Sequence, residues 1–364
     1  MKCAVFTLLL VSTGLTALAQ EKIQHDSLPL TSNRERLVFP FVVESPETKW
    51  GFGGVAAVFF KPKEDDSLTR TSDVNLLGLY TLRNQLILVL SSTIFFPHEN
   101  HIIRFQTSYS YYPDNFWGLG NKTLPSDKEA FSQKQYFINP QFLLRVHKKL
   151  YVGLSYEFQH TGDVNYTHGG VFDRENIAGR HGGNTSGIGP MLTWDSRNAS
   201  YSPSAGFFGE LQYIVFNKVM GSSFNFTLLN VDLRKYIQLA PSCILALQGI
   251  GGFASGTTPF RKLEELGGPD MMRGYYGGRF TDKCLVAAQA EVRQHLFWRV
   301  GCVMFGALGQ VSPAMDGFSI NSFHYTYGAG LRLALSKQEK LNLRVDYGIG
   351  KGSNAVSLQL REAF

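Results

Sequence analysis

The sequence predicts an all-β protein, a transmembrane antiparallel β-barrel of about sixteen strands. Three observations predict it. The C-terminal segments alternate between apolar and polar residues. The 364 residues are 13% aromatic, with 28 Phe and 37 Gly, and only 18% are charged. Beyond an N-terminal leader, no apolar run approaches the ~18 residues of a helical span, so any membrane crossing must use strands.

The leader comes first. Lys2 precedes an apolar run from Ala4 to Val11, and Ala17-Leu18-Ala19 fits a small-x-small cleavage site. Residues 1–19 therefore read as a secretory signal peptide, with Gln20 as the first mature residue. Cys3 lies too early for a lipoprotein cysteine. Residues 20–36 are polar and unpatterned. They read as a short periplasmic N-terminal segment, with no room for a folded domain of ~50 residues. Residues 37–364 read as the barrel.

Its strands are expected at 37–44, 51–61, 73–82, 85–96, 100–112, 134–146, 150–160, 185–197, 206–217, 223–237, 243–254, 283–297, 301–312, 323–335, 340–349 and 354–364. The last two show the pattern best. In "KLNLRVDYG", Leu341, Leu343, Val345 and Tyr347 oppose Asn342, Arg344 and Asp346. In "AVSLQLREAF", Val356, Leu358, Leu360 and Phe364 oppose Ser357, Gln359, Arg361 and Ala363, with Glu362 the one exception on the apolar side. A soluble sandwich would also alternate. The terminal Phe364, placed as a C-terminal assembly signal, and aromatics near strand ends favour a barrel with lipid outside and a polar lumen. The longest connections, 113–133, 161–184 and 255–282, all follow odd-numbered strands and so share one rim, the extracellular one if the chain starts in the periplasm. The turn at 62–72 is long for the opposite rim. A slip in alternation at Leu228-Leu229 reads as a bulge.

Several functions are excluded. The net charge of +6 is scattered singly, so nothing resembles a nucleic-acid footprint. Cys243, Cys284 and Cys302 match neither a disulfide framework nor a zinc pattern. His160, His168 and His181 share a segment with Asp163, Asp173 and Glu175, but their irregular spacing reads as loop polarity. No metal, cofactor or enzymatic activity is expected.

One segment demands a role: "GGPDMMRGYYGGRF", Gly267 to Phe280. It is rich in glycine and aromatics and holds no Ser, Cys or His. With the "AAQAEVR" that follows Leu285 and Val286, it resembles the BamA/TamA family, the bacterial surface antigen barrels, which include outer-membrane assembly barrels and two-partner secretion pores. The resemblance rests on Gly267, Gly268 and the Arg273-Gly274-Tyr275 core, then Glu291 and Arg293. It extends to Asp195, Arg197, Pro203 and Gly206 in "GPMLTWDSRNASYSPSAGFF", to "FPFVVESPETKWGFGG", and to the closing strands. It implies that the extracellular loop folds inward and that Arg273 pairs with acids on the lumen wall. Glu291 is the matched partner. Ala307 stands where the family has a second acid, and Asp346 is the candidate substitute. Family members carry periplasmic polypeptide-transport-associated repeats, which are not expected here. Pro40, in the first strand, either weakens the seam with the last strand, as a lateral gate requires, or marks a strand start. The last strand has no interior Gly to kink it.

The resemblance implies an outer-membrane barrel that assists insertion or translocation of protein or lipid. The alternative is a structural or pore-forming barrel. The expected partners are outer-membrane lipid and client outer-membrane proteins or a separate periplasmic delivery protein.

Overall fold

Where one strand face meets lipid and the other a lumen, successive side chains must alternate in polarity. The computed structural model describes residues 34–61, 69–199, 202–336 and 341–364. The leader, most of the 20–36 segment and most of the 62–72 turn lie outside the described residues. In chain order the strands are β1 (Arg34–Ser45), β2 (Lys49–Phe60), β3 (Ser72–Thr81), β4 (Leu86–Phe95), β5 (His101–Tyr111), β6 (Asp114–Phe116), β7 (Glu129–His147), β8 (Leu150–Asn165), β9 (Gly183–Asp195) and β10 (Gly206–Phe216). There follow β11 (Phe226–Ala240), β12 (Cys243–Gly256), β13 (Glu264–Leu266), β14 (Phe280–Asp282), β15 (Cys284–Phe297), β16 (Val300–Ser312), β17 (His324–Ser336), β18 (Leu341–Gly350) and β19 (Ser353–Leu360). One helical turn, α1, spans Val171–Arg174.

β6, β13 and β14 are short strands within loops. The other sixteen pair antiparallel in chain order and close into a barrel. The closure is slight: among the described residues, β1 and β19 share a single register pair, Glu44↔Leu358. Pro40 pairs with Gly54 of β2 inside an unbroken β1–β2 register, so it lies within the strand, not at its start.

The wall follows the alternation. On β17, Tyr325, Tyr327, Leu331 and Leu333 are exposed outward while Thr326 and Arg332 are buried inward. On β18, Val345 and Tyr347 face out while Arg344 and Asp346 face in. Trp50, Tyr80, Tyr136 and Tyr325 sit near the rim that holds the long loops, and Phe297 and Trp298 near the other, as interfacial aromatics do.

Three expectations need correction. β11 keeps register with both neighbours through Leu228 and Leu229, so there is no bulge there; the shift is between Gln238 and Ala240. Leu228 faces inward into an apolar cluster with Ile214, Phe216, Phe226 and Ala254, which explains the apolar pair without a slip. β7 and β8 each extend five residues further, as a paired ribbon at the end away from their turn, and β1 starts three residues earlier than expected. The last strand ends at Leu360, not Phe364. Arg361 takes a φ of +66° and turns the chain inward. Phe364 is then buried in the lumen against Tyr236 and Ala246, not on the lipid face. The turn also explains Glu362, which an uninterrupted strand would have directed into lipid.

Candidate functional site

Residues 257–283, between β12 and β15, fold back into the lumen. The β13–β14 hairpin, with Leu266 opposite Phe280, holds the base of this loop. Its underside is apolar. Leu266, Met272, Tyr275 and Phe280 pack on Leu285 and Ala287 of β15 and on Ala307 and Val311 of β16. The lumen face of β16 is therefore largely apolar because it is the floor on which the loop rests. Ala307 belongs to that floor.

The tip approaches β18 closely. A Cβ at Gly348 would overlap the Arg273 carbonyl, and one at Gly274 would overlap Gly348 and Ile349, so only glycines permit the contact. Gly267, Gly268 and Gly274 have φ of +121°, +110° and +114°, conformations that suit glycine. Ser353 Oγ donates to the Gly274 carbonyl at 2.7 Å, and the Lys351 backbone N–H donates to Tyr275 Oη at 2.9 Å.

This placement buries Arg273, only 2% exposed, among lumen side chains. Its Nη1 donates to Asp346 Oδ2 at 3.1 Å. Its Nη2 lies 2.5 Å from Glu291 Oε1 as an off-axis charge contact and donates to Gln289 Oε1 at 3.3 Å. The guanidinium stacks on Phe305 with its carbon 3.6 Å from the ring centroid, a cation–π contact. Glu291 also accepts from Arg293 Nε at 2.8 Å. Asp346 accepts from Arg332 at 2.5 Å and from Arg344 at 3.3 Å, and Arg344 also pairs with Asp270 of the loop. Thus Arg273, Glu291, Arg293 and Asp346 are brought together. The sequence reading missed Gln289, Phe305, Arg332, Arg344 and Glu362. The two arginines were findable, since they occupy inward positions in alternating strands.

The inserted loop also supports an outer cap. Tyr276 Oη donates to Asp114 Oδ1 at 2.7 Å, and Arg279 Nη1 donates to Thr123 Oγ1 at 2.7 Å. Phe260 joins Phe116, Phe131, Val171, Phe172 and Ile177 in a cluster beneath the other two long loops. Burial pushes the Asp114 carboxyl up to about 6 against the Tyr276 bond. Burial, with Glu265 beside it, pushes Glu264 up to about 7.

The Omp85 superfamily domain matches residues 86–357. The chain belongs to that superfamily. Among curated proteins, none matches in sequence. The Omp85 barrel is similar in fold to solved structures. BamA from Haemophilus ducreyi lacking POTRA domains 1–3 aligns with a TM-score of 0.60 at 13% identity, over 90% of this chain and 70% of that one. CdiB from Acinetobacter baumannii gives 0.57 at 12%, over 90% and 65%, and CdiB from Escherichia coli 0.57 at 10%, over 91% and 68%. An Omp85 barrel is an outer-membrane barrel.

At the opposite rim of this Omp85 barrel, the remaining motif residues form a separate cluster. Asp195 binds Arg197 Nε at 2.9 Å and Arg70 Nη1 at 2.5 Å. Arg70 also donates from Nε to Glu99 at 2.9 Å and stacks on Phe95. Burial would raise the Glu99 carboxyl, but Arg70 and the Tyr151 hydroxyl hold it below the usual range. Pro203 is buried. Gly206, at φ +112°, lies against the Ser196 carbonyl, where a Cβ would overlap it. This cluster ties the β2–β3 and β4–β5 turns to the β9–β10 turn.

The histidine-bearing loop shows no ligand set. His160 Nδ1 contacts Asn184 Oδ1 at 2.6 Å, and His168 Nδ1 lies 3.9 Å from Asp173. Among the described residues, no group of side chains could hold a metal ion.

Proposed function

We propose that the protein assists insertion or translocation of protein across or into the outer membrane, with Arg273 as the anchor that keeps its inserted loop in the working position. The carrying observation is the burial of Arg273 between Glu291, Asp346 and Phe305, which commits a 27-residue loop to the lumen. Such a loop narrows the passage that an open diffusion pore would keep clear. Superfamily membership and the BamA-like and CdiB-like fold support the reading. The long loops face outward in this proposal, and residues 1–19 and 20–36 serve as leader and periplasmic segment. Clients are other outer-membrane proteins.

The test is reconstitution of the full mature chain in liposomes, followed by the folding rate of other barrels added as unfolded chains. Acceleration that Arg273→Ala abolishes supports the proposal. Unchanged folding rates, together with steady conductance that Arg273→Ala increases, would instead establish a plugged pore.

A further inference from the structure

At the rim that holds the long loops, an open cleft of about 490 Å³ lies between the β6–β7 loop, β14 and the end of β16. That volume falls within the range of small-molecule sites. Asp282, Gln310 and Ser312 line it as buried side chains, and Lys122, Asp127 and Glu175 as exposed or half-buried ones. The walls are held in place. The Gly120 N–H donates to the Thr281 carbonyl at 2.8 Å. Asn121 reaches the other wall, accepting from the Val311 N–H at 3.1 Å and donating to the Ser322 carbonyl at 2.6 Å. A cleft fixed by such bonds is formed in advance, which lowers the cost of binding.

Two buried groups in the wall lack what burial demands. Asp282 is 4% exposed, and among the described residues its one hydrogen bond comes from the Lys283 backbone N–H at 2.8 Å, with no arginine or lysine in an ion pair. By contrast, Glu99, Asp195, Glu291, Asp346 and Glu362 each hold an arginine. A buried carboxylate without a paired cation is strongly unfavourable. Burial raises the Asp282 carboxyl against the Lys283 N–H and charge, and Glu175 adds to the rise. Gln310 is 2% exposed. Its Oε1 accepts from the Ser319 N–H at 3.3 Å, while its Nε2 has no acceptor among the described residues. Asp127 and Glu175 accept only from the backbone N–H groups of Leu124 and Leu119. Three carboxylates without ion pairs thus share the cleft with one lysine, Lys122.

We propose that this cleft binds a small hydroxylated primary amine, the chemistry of an amino sugar. The ammonium supplies the cation that Asp282 lacks. A hydroxyl oxygen accepts from Gln310 Nε2, and hydroxyl groups donate to Glu175 and Asp127 at the mouth. The carboxylates do not gather into a set that could coordinate a metal ion among the described residues. The ligand must therefore bring donors of its own that spread across the cleft. Once bound, it ties β14, at the base of the inserted loop, to β16 and to the β6–β7 loop, and so firms the outer cap. This goes beyond the proposed function and holds whether or not the barrel handles clients.

The test uses the full mature chain refolded in detergent, with folding checked by heat-modifiable gel mobility. Glucosamine is titrated by calorimetry near neutral pH. Saturable binding is expected. Glucose, which lacks the charge, and cyclohexylamine, which lacks the hydroxyls, bind about tenfold or more weaker, since each loses hydrogen bonds that involve charged groups. Asp282→Asn lowers glucosamine affinity about tenfold or more for the same reason. Lys122→Gln removes an exposed like charge and tightens glucosamine a few-fold, which keeps the proposal testable if Asp282→Asn fails to fold. Bound glucosamine slows hydrogen exchange at 119–123 and 280–283. Asp163→Asn, an exposed acid paired with Lys134 outside the cleft, leaves the affinity unchanged. Glucose or cyclohexylamine binding as tightly as glucosamine, full affinity in Asp282→Asn, weaker binding in Lys122→Gln, or no saturable binding in the millimolar range would overturn the proposal.

Discussion

Arg273→Ala separates two contributions to loop placement. The substitution removes a guanidinium from two buried carboxylates, one amide and one aromatic ring. Breaking a buried ion pair typically costs about 3–5 kcal/mol. Here Glu291 keeps Arg293, and Asp346 keeps Arg332 and Arg344, so the lower end applies. Loss of a desolvated cation–π contact adds about 1–2 kcal/mol. Against this stands the apolar seating of Leu266, Met272, Tyr275 and Phe280. Each such side chain contributes roughly 1.5–3 kcal/mol when fully buried. Leu266 and Phe280 lie in the hairpin base and keep it docked, whereas Met272 and Tyr275 lie in the tip, which Arg273 also holds, so the tip opens first. Together the two polar losses give about 4–5 kcal/mol, a thousandfold or more. Hydrogen exchange by mass spectrometry on the liposome-folded barrel should therefore show residues 267–279 exchanging roughly a thousandfold faster, with 264–266 and 280–282 little changed. Arg273→Lys keeps a charge but loses the fork and should fall between. Unchanged exchange at 267–279 in Arg273→Ala would refute the assignment of the tip's position to this side chain.

Three further outcomes are expected. Arg70→Ala strands Glu99 with only the Tyr151 hydroxyl as side-chain donor, whereas Arg197→Ala leaves Asp195 its Arg70 partner. Thermal unfolding in detergent should thus show the larger loss, about 3 kcal/mol, for Arg70→Ala. Ala307→Asp, which restores the acid that the resemblance leads one to expect, should weaken loop seating, because that position now touches an apolar cluster; tighter protection at 264–282 would contradict this. Glu264 has a raised carboxyl pKa of about 7 in the folded cap. The folded state therefore binds the extra proton between the ordinary range and 7, and its contribution to stability falls as pH rises through that window. Protection of the β13–β14 hairpin, corrected for intrinsic exchange, should be greater at about pH 6 than at about pH 8, and Glu264→Gln should remove the difference. A matching pH response in Glu264→Gln would assign it elsewhere, for example to the nearby buried Asp114.

The barrel was legible because lipid and lumen impose opposite demands on neighbouring residues, and that demand is written into every strand. The failures lie where a third environment intervenes. β16 shows Phe305, Ala307 and Val311 inward because it faces the inserted loop, and a lumen-facing strand covered in this way reads as apolar on both sides. Leu228 misled because neighbouring strands build an apolar cluster around it, with Ile214, Phe216, Phe226 and Ala254, where a polar lumen was expected. The extended end of β7 carries buried polar residues, Glu129 and Gln133, that a loop and a strand would share. In the site, Arg273 and Glu291 were legible from an ordered set of motifs, whereas Arg344 appeared only as lumen polarity and Arg332 was not singled out. Pairing across a lumen depends on where a loop tip comes to rest, and no local pattern encodes that.

Glu362 carries the sharper lesson. It interrupts the apolar face of the last strand once, two residues before the terminal aromatic. A strand drawn through it places a carboxylate in lipid, at a cost of a few kcal/mol near the bilayer midplane and less toward the interface. The chain avoids that cost with one residue: Arg361 at positive φ shifts the phase, and Glu362 gains Arg332, Arg293 and Asn342. The same shift removes Phe364 from the lipid face and leaves β1 with one partner residue at the seam. A single out-of-phase charge thus marks where the wall stops being a wall, and it connects the end of the chain to the loop that fills the lumen.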